Sequence, residues 1–278
     1  MTGSPEQQDD DLSTWADAVE SACPGWRAAV YRSTASTQKL ARQAVSLSPV
    51  AEAHLWVADE QTAGQGRRNR AWSAPAGAGV WVSFAPRIDP AAEVAPATWS
   101  LVGAVAVARV VDACIGPGLA RLKWPNDVLV EGRKLAGVLT EAVVAADGRA
   151  GLILGVGLNT RLPDSVAVDA RARPTDLHRL GSRLSRLRVL INLTQQVESC
   201  VRCAQYDPGA LAEEWRNRTA MIGRTFSFAW AEQNIRGEVI DLDPQAGLIV
   251  RTPQAIAAVP PSATVVGYES DAPEPADR

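Results

Sequence analysis

The chain has 278 residues, which is enough for one large domain and a small one with a sizeable hydrophobic core. Hydrophobic residues make up 46% of the chain and charged residues 21%, as in an ordinary soluble globular protein. The formal net charge of -3 argues against a dedicated nucleic-acid-binding protein, because such proteins usually carry an excess of basic residues.

Residues 1–12 are polar and acidic, so they are predicted to form a disordered tail. They lack the basic start and apolar run of a secretory signal, and we therefore expect a cytoplasmic protein. A short strand is predicted at 27–32, followed by a helix from Ser36-Thr37-Gln38 to about residue 47. A hydroxyl side chain at a helix start can accept a hydrogen bond from a free backbone N–H, so this motif is expected to cap the helix.

Strands predicted at 54–59 and 79–84 flank a loop rich in glycine and arginine. Beyond them, the alanine- and valine-rich segment 95–114 predicts a long helix. Its apolar run is interrupted by Ser100, Arg109 and Asp112, which indicates a helix that faces the core rather than one that spans a membrane.

The middle of the chain alternates strands and turns. Strands are predicted at 120–123, 128–130, 134–144 and 151–158, and Glu131-Gly132-Arg133 is typical of a hairpin turn. Helices are predicted at 190–206 and 208–219, with Asp207 as the N-cap and Pro208 at the first helical position. Cys200-Val-Arg-Cys203 falls inside the first of these helices, so two unpaired cysteines are a better interpretation than a zinc or redox site.

After residue 218 the pattern changes to short strand-like runs punctuated by glycine and proline, at 225–230, 235–241, 247–252, 255–259 and 264–268. This pattern predicts a small all-β barrel of about fifty residues. The whole chain is therefore expected to be an α+β body with a β appendix.

Two groups of charged residues are candidates for an anion-binding site. The loop Gly64-Gln65-Gly66-Arg67-Arg68-Asn69-Arg70 combines glycines, which let backbone N–H groups approach an anion, with arginines, which bind phosphate or carboxylate. It matches neither a Walker A loop nor a Rossmann fingerprint, and a solvated surface loop remains an alternative. Lys123-Trp124-Pro125-Asn126-Asp127 and Lys134 lie at predicted strand ends, where ligands bind, although such charges also form plain surface ion pairs.

Glycines inside the strand 151–158 suggest a close approach. Gly155 and Gly157 weaken a strand, so their presence implies that a ligand or another backbone lies against it. Asn159, at the end of this strand, could hydrogen-bond an adenine or another ligand amide.

Five motifs in this order resemble those of the biotin–protein ligases. They are Ser36-Thr37-Gln38, the loop from Gln61 to Arg70, Lys123-Trp124-Pro125-Asn126-Asp127, Arg133-Lys134-Leu135-Ala136-Gly137 and Gly155-Val156-Gly157-Leu158-Asn159. The resemblance covers about residues 27–268. It implies a catalytic domain over 13–220 with a mixed β-sheet and flanking helices, similar to class II synthetases. A C-terminal SH3-like β-barrel over 221–268 and a disordered tail over 269–278 complete the expected organisation.

The resemblance also implies a two-step reaction and a set of site residues. Biotin would be activated by ATP as biotinyl-5′-AMP and then transferred to a lysine of a biotin carboxyl carrier domain of an acyl-CoA carboxylase. Catalysis is assigned to Lys134, Arg67, Lys123 and Asp127. Biotin binding is assigned to Ser36, Thr37, Gln61, Gly64, Gln65, Gly66, Arg67, Gly137, Leu139 and Gly157. ATP binding is assigned to Arg68, Arg70, Trp124, Asn126, Lys134 and Asn159, with Mg²⁺ expected to accompany ATP rather than to bind a cluster of side chains.

The chain departs from the family pattern at three positions. Gln65 replaces an arginine of the family's loop, and Asn69 replaces a glycine, although asparagine tolerates a positive φ. Gln38 replaces the asparagine of the family's Ser-Thr-Asn pattern and carries a longer amide. None of these changes removes Lys134.

Two other functions remain open. Lipoate–protein ligases share the same catalytic architecture, although the Lys123–Asp127 motif favours biotin, and a ligand-binding module with little activity would also fit the altered loop. Some family members carry an N-terminal helix-turn-helix, but only about 25 residues precede the first predicted strand, so DNA binding is not expected. The resemblance fits a monomer or a homodimer without a membrane partner.

Overall fold

The computed structural model describes residues 11–47, 52–144, 148, 150–164, 173–230 and 233–268. Most of the predicted disordered tails, residues 1–10 and 269–278, lie outside this part of the chain. Leu12 was included in the N-terminal tail, but it begins a short 3-10 helix, Leu12–Thr14, whose first turn is capped by the Asp11 side chain.

The described residues form five α-helices and twelve β-strands. The helices are α1 (Trp15–Ala22), α2 (Thr37–Leu47), α3 (Pro96–Ile115), α4 (Arg186–Tyr206) and α5 (Pro208–Arg218). The first seven strands are β1 (Trp26–Thr34), β2 (Ala53–Gln61), β3 (Gly79–Ala85), β4 (Arg121–Lys123), β5 (Asp127–Val130), β6 (Arg133–Val144) and β7 (Ala150–Asn159). The others are β8 (Thr225–Trp230), β9 (Gln233–Asp243), β10 (Gly247–Arg251), β11 (Ile256–Val259) and β12 (Thr264–Tyr268).

These bounds confirm the predicted elements to within a few residues, with one omission. Helix α1 was not predicted, although it buries Trp15 and Val19 in the main core. The predicted cap of α5 is confirmed, because the Asp207 side chain accepts a hydrogen bond from the Ala210 N–H at 3.1 Å and Pro208 follows it.

The first seven strands form one mixed sheet in the order β1-β2-β3-β7-β6-β5-β4. Only β1 and β2 run parallel; the other pairs are antiparallel. Helices cover both faces of the sheet. Successive residues of a strand point to opposite sides, so each strand contributes side chains to both layers. In β2, Leu55 and Val57 face the main core with α3, whereas Trp56 packs under α2 with Ala41 and Val45.

Helix α3 is the central helix of the main core. By length and composition alone, α3 could span a membrane, and among the described residues no other helix could. Most of α3 is buried inside the protein, as expected of the core helix of a globular fold. Gly103 allows it to lie close to the sheet, since a Cβ there would meet Val138 Cγ1 at 2.5 Å. The prediction of a core-facing helix is therefore confirmed.

The last five strands form an antiparallel sheet in the order β11-β10-β9-β8-β12, as the expected fold class requires. Phe228 and Val250 of this sheet belong to the same hydrophobic cluster as α3, so the two sheets share a core. The Thr98 hydroxyl donates to the Pro244 carbonyl at 2.5 Å, and Arg216 Nε lies 2.6 Å from Asp241 Oδ1. The domain bounds at 220 and 221 stay a prediction.

Cys200 and Cys203 lie on α4 and are free thiols, as predicted. Burial raises the pKa of Cys200 to about 12, so its reactive thiolate form is scarce at neutral pH. Burial also raises the pKa of Cys203.

Candidate active site

A cavity of about 580 Å³ opens between the α2 side of the seven-stranded sheet, the glycine–arginine loop and the edge of the C-terminal sheet. Its volume suits a small-molecule substrate. Of the predicted site residues, the cavity wall includes Ser36, Thr37, Gln61, Gln65, Gly66, Arg67, Arg68, Arg70, Lys123, Trp124, Asn126, Asp127, Lys134, Gly137, Leu139, Gly157 and Asn159.

Gly64 is the one predicted site residue that does not line the cavity. A Cβ on Gly64 would meet the Trp72 carbonyl oxygen at 2.5 Å, and the Trp72 N–H donates to the Gly64 carbonyl at 2.9 Å. This glycine therefore lets the two arms of the loop close on each other, and its assignment to biotin binding stays a prediction.

The β5–β6 hairpin brings Lys134 and Asp127 together in the wall of the cavity. Its turn residues Glu131 and Gly132 have φ values of 51° and 69°, the left-handed pair that a tight two-residue hairpin requires. Lys134 Nζ lies 2.6 Å from Asp127 Oδ1, and both side chains are about a quarter exposed, at 24% and 23%.

A β-bulge explains why Lys134 faces the cavity. Lys134 and Gly137 are three residues apart and would lie on opposite faces of a regular strand, yet both line the cavity. The register of β5 with β6 shifts between Val128 and Leu129, so that one extra residue lies in β6. This shift lets Leu135 remain fully buried while Lys134 turns to the cavity.

The Trp72 indole lies on the glycines of β6 and β7. A Cβ on Gly157 would meet Trp72 Cε2 at 2.5 Å, and one on Gly137 would meet Trp72 Cζ3 at 2.8 Å. Lys134 Nζ lies 5.3 Å from the centre of the same ring, within the range of a cation–π contact. The predicted close approach to the strand glycines is thus real, but it comes from side chains rather than from another backbone.

Polar side chains form the floor of the cavity beside α2. The Thr37 N–H donates to Gln61 Oε1 at 2.8 Å, so Gln61 from β2 caps the helix, a function the sequence had suggested for Ser36 or Thr37. Ser36 Oγ is buried and has no hydrogen-bond partner among the described residues. Since buried polar atoms are nearly always hydrogen-bonded, this hydroxyl is available to a ligand.

Two of the three loop arginines, Arg67 and Arg68, are bound to the C-terminal sheet. Arg67 Nη2 donates to the carbonyls of Pro261 and Ala263, the latter at 3.0 Å, and Arg68 Nη2 donates to the Ser262 carbonyl at 3.2 Å. Burial and the positive charge of Arg68 lower the pKa of Arg67, although a guanidinium remains charged at neutral pH. The loop therefore holds positive charge next to the cavity through contacts about 190 residues away in sequence.

Asn69 stands where the family's loop has a glycine, and asparagine was expected to tolerate a positive φ there. The residue with a positive φ is instead Arg68, at φ 54° and ψ 40°, inside the short 3-10 turn Arg67–Asn69. The side chain of Asn69 lies outside the described part of the chain. Gln65 pairs through its backbone with Ala71 across the loop and lines the cavity.

The segment 123–127 forms a rigid corner of the cavity. Asn126 Nδ2 donates to the Val138 carbonyl at 3.1 Å, and the Val138 N–H donates back to the Asn126 carbonyl at 2.9 Å. Trp124 contributes to the wall, but its ring is 2% exposed and packs edge-on against Trp215 at 6.1 Å. The tryptophan thus anchors the corner in the core, a function that sequence reasoning did not assign.

Asn159 lies at the end of β7, as predicted, and is 5% exposed. Its Nδ2 donates to the Thr175 carbonyl at 3.0 Å, and the Thr175 N–H donates to the Lys134 carbonyl at 2.9 Å. Asn159 therefore links β6 and β7 to segment 173–177 next to the predicted nucleotide site.

Several wall residues were not predicted from the sequence. Trp72 follows the glycine–arginine loop by two positions, and the strand glycines that it covers were the signal that could have found it. The Thr264–Val266 stretch could not have been found, because it comes from the C-terminal sheet. The additional wall residues include Gln38, Trp72, Ser83, Leu162, Pro174, Thr264, Val265 and Val266.

A group of at least three metal-ligating side chains does not occur among the described residues. In segment 123–127 of the wall, Asp127 is the carboxylate, and it contacts Lys134. A divalent ion carried by substrate phosphates and water ligands would fit this donor set better than one held in a dedicated protein site.

The fold and the site together define an enzyme class. A mixed sheet carries a cavity with a polar floor, a tryptophan-covered wall and a cationic rim, and such a cavity suits the joining of a small polar ligand to a phosphate-bearing substrate.

Comparison with known proteins identifies the family. The model of the biotin/lipoate A/B protein ligase family matches residues 30–159. The biotin–[acetyl-CoA-carboxylase] ligase of Mycobacterium tuberculosis is 32% identical over 242 residues, which cover 84% of this chain and 86% of that protein. The enzyme of the same name from Paracoccus denitrificans is 40% identical over 146 residues, or 50% of this chain and 59% of that protein. The chain belongs to the biotin–protein ligase family.

The fold comparison agrees with this assignment. The biotin protein ligase of Aquifex aeolicus, solved in complex with biotin and ATP, superposes with a TM-score of 0.71 at 23% identity. The match covers 85% of this chain and 97% of that structure. Both sheets therefore belong to a known fold, as the sequence resemblance implied.

Proposed function

We propose that the chain activates biotin with ATP to form biotinyl-5′-AMP and then transfers biotin to a lysine of a biotin carboxyl carrier domain. The observation that carries this proposal is the convergence of three groups in one cavity. These groups are the Lys134–Asp127 pair, the arginines of the loop, and the polar floor at Ser36, Thr37 and Gln61. Cytoplasmic residence fits the same proposal.

In the first step, a carboxylate oxygen of biotin forms a bond with the α-phosphorus of ATP, and the bond to the β-phosphate breaks to release pyrophosphate. Negative charge builds on the phosphoryl oxygens, so preorganised cations lower the barrier. Lys134 contacts the carboxylate and α-phosphate, and Arg67, Arg68 and Arg70 lie along the rim. Mg²⁺ carried by ATP would neutralise part of the phosphate charge.

Biotin binds at the end of the cavity near α2. Ser36, Thr37 and Gln61 hydrogen-bond the ureido ring, and Leu139 lies along the apolar part of the ligand. Gly137 and Gly157 give the Trp72 ring the space to lie against β6 and β7 and form the wall here, while Gln65 and Gly66 close the loop side. The orphaned Ser36 hydroxyl supports this assignment, because a ureido group would satisfy it.

ATP binds towards the other end, where Asn126 and Asn159 hold the corner beside segment 173–177. Trp124 supports this corner from the core.

In the second step, the amine of the carrier lysine attacks the acyl carbonyl of the adenylate, and AMP leaves. Asp127 orients that amine and accepts its proton, with Lys123 nearby on the wall. A site closed by the loop arginines shields the mixed anhydride from water until the carrier arrives.

Labelling of a carrier domain tests the proposal. The protein is incubated with ATP, Mg²⁺, biotin and a biotin carboxyl carrier domain, and the product is probed with streptavidin. We expect a labelled carrier. Biotin binding without label would indicate a ligand-binding module, and lipoate attachment to a lipoyl domain would indicate the lipoate ligase.

The function of Lys134 is tested separately. We expect Lys134→Ala to lower the rate of biotin-dependent pyrophosphate release by at least about a hundredfold, because a preorganised cation is lost from the charged transition state. Circular dichroism should show an intact fold. Lys39→Ala is the matched control, since Lys39 is an exposed lysine of α2. Unchanged pyrophosphate release from Lys134→Ala would contradict the assigned function.

A further inference from the structure

A chain of hydrogen bonds links the floor of the cavity to a charged pair outside it. Glu141 of β6 does not line the cavity, and Arg42 Nη2 donates to its two carboxylate oxygens at 2.7 and 2.9 Å. Gln38 Nε2 donates to Glu141 Oε2 at 2.8 Å. Ser83 Oγ lies 2.8 Å from Gln38 Oε1 and 2.9 Å from Thr37 Oγ1.

The Glu141 carboxylate, 2.8 Å from Gln38 Nε2, sets the direction of the bonds in this chain, and the Leu139 carbonyl is a second, more distant acceptor of the same amide at 3.4 Å. A carboxylate only accepts hydrogen bonds, so the amide of Gln38 must turn its NH₂ group towards Glu141 and its oxygen towards Ser83. That oxygen also only accepts, so Ser83 donates its single hydroxyl proton to Gln38. The Ser83 oxygen can then only accept from Thr37.

The last group of this hydrogen-bond chain is therefore the Thr37 hydroxyl, acting only as an acceptor towards the cavity. Thr37 Oγ1 gives its single proton to Ser83 at 2.9 Å rather than to Gln61 Oε1, which is farther away at 3.2 Å. It offers only lone pairs to the cavity. The Gln61 oxygen is held by the Thr37 N–H at 2.8 Å, so Gln61 has its NH₂ group left to donate. An acceptor beside a donor matches the N–H and C=O of a cyclic urea.

Burial makes this ordering strong. Gln38, Thr37 and Ser83 are 3%, 3% and 1% exposed, so water does not compete for their hydrogen bonds. The longer amide of Gln38 also has a matching space, because a Cβ on Gly155 would meet Gln38 Oε1 at 2.5 Å. The missing side chain of Gly155 in β7 thus leaves the space that the longer amide of Gln38 occupies in place of the family's asparagine.

We propose that Glu141 is a positioning residue that, through Gln38 and Ser83, fixes the Thr37 hydroxyl as a hydrogen-bond acceptor and so sets the specificity of the pocket for the ureido ring. This inference rests on the proposed function. It differs from a plain ion pair between Glu141 and Arg42, which at 27% and 44% exposure would contribute little.

Glu141→Gln tests the proposal, because it keeps the shape but lets the side chain donate as well as accept. The donor and acceptor directions of the hydrogen bonds from residue 141 to Thr37 are then no longer fixed. We expect the biotin Kd, measured by calorimetry, to rise about tenfold, the effect of weakening one buried hydrogen bond. The KM for ATP and the kcat at saturating biotin should stay near the wild-type values. The matched control is Glu238→Gln on β9, which removes a charge paired with Arg251 of β10 and should bind biotin normally.

A double-mutant cycle separates ordering from a merely structural effect. Ser83→Ala breaks the chain between Glu141 and Thr37, so adding Glu141→Gln should weaken biotin binding no further. Additive losses would overturn the proposal, as would normal biotin binding by Glu141→Gln. Ser83→Ala alone also tests the chain if Glu141→Gln does not fold, since normal biotin binding by that variant would overturn it. If the wild-type protein bound no biotin, the proposed function itself would fail.

Discussion

At the scale of single residues, glycines and the side chains that cover them shape the cavity. Gly137 and Gly157 face each other on β6 and β7, and the Trp72 ring lies on both. For β7, the sequence predicts that a ligand or another backbone approaches the strand, because Gly155 and Gly157 leave it without side chains to pack. The group that approaches Gly157 is instead the Trp72 side chain, which the sequence did not indicate because Trp72 is distant from this strand.

Gly157→Ala should disturb this contact. The new Cβ would meet the indole at 2.5 Å, so Trp72 must move into the cavity. We expect stability to fall by about 1–3 kcal/mol, the usual cost of overpacking. We also expect the biotin Kd, measured by calorimetry, to rise about tenfold.

The control for this variant is Gly209→Ala, at the start of α5. A Cβ there meets only Asp207 Oδ1, at an ordinary 3.7 Å, so the melting temperature and the biotin affinity should stay close to the wild-type values. A Gly157→Ala protein with unchanged biotin binding would show that the position of Trp72 does not matter to the ligand.

At the scale of elements, the glycine–arginine loop is held by a turn of the other sheet. Arg67 donates to two carbonyls of the turn between β11 and β12, and Arg68 donates to a third. The planar guanidinium of Arg67 can bind two carbonyls at once, which a lysine ammonium on a flexible stem cannot do with the same geometry. The loop arginines are thus structural ties as well as sources of positive charge.

Arg67→Lys should loosen the loop without removing its charge. The measurement is limited proteolysis with trypsin, which cleaves after both arginine and lysine. The variant therefore keeps the cleavage site, and its cleavage rate reports only how often the loop opens. Loss of a hydrogen bond to a charged group corresponds to about 1.5–3 kcal/mol, and we expect cleavage within 64–72 to be at least about tenfold faster by mass spectrometry.

Arg70→Lys is the matched control for the proteolysis experiment. The Arg70 side chain forms no hydrogen bond with another described residue that would tie it to the C-terminal sheet. Its replacement should therefore leave the cleavage rate near that of the wild type. Equal rates for Arg67→Lys and Arg70→Lys would contradict the idea that Arg67 holds the loop.

At the scale of the whole molecule, the two sheets share one hydrophobic core. The main hydrophobic cluster includes residues of α3 and α5 together with Phe228, Val239 and Leu248 of the C-terminal sheet. The Trp124 N–H also contacts Met221 Sδ at 3.2 Å, between the sheets. Separating the sheets would expose this shared apolar surface.

We therefore predict a single thermal unfolding transition, with equal calorimetric and van't Hoff enthalpies. Phe228→Ala should destabilise the whole protein by about 3–5 kcal/mol, because it leaves a cavity in the shared core. Ile256→Ala is the control, since Ile256 of the same sheet is 66% exposed and should change the melting temperature little. Two transitions, of which Phe228→Ala shifts only one, would refute the shared core.

The sequence by itself determined the elements and the family. Local patterns located nearly all helices and strands, because period, turn residues and caps act over a few positions. The Glu131-Gly132 turn and the Asp207 cap are of this kind. Five motifs in order were enough for the resemblance, and the wall of the cavity includes every predicted site residue except Gly64.

Only the tertiary structure decided which partners those residues have. Lys134 turns to the cavity because of a bulge whose register depends on β5, and Gln61 rather than Ser36 caps α2 across the sheet. Arg67 binds carbonyls about 190 residues away, and Glu141 orients Thr37 through two other side chains. Such contacts depend on how separate elements pack, and neither periodicity nor local motif carries that information.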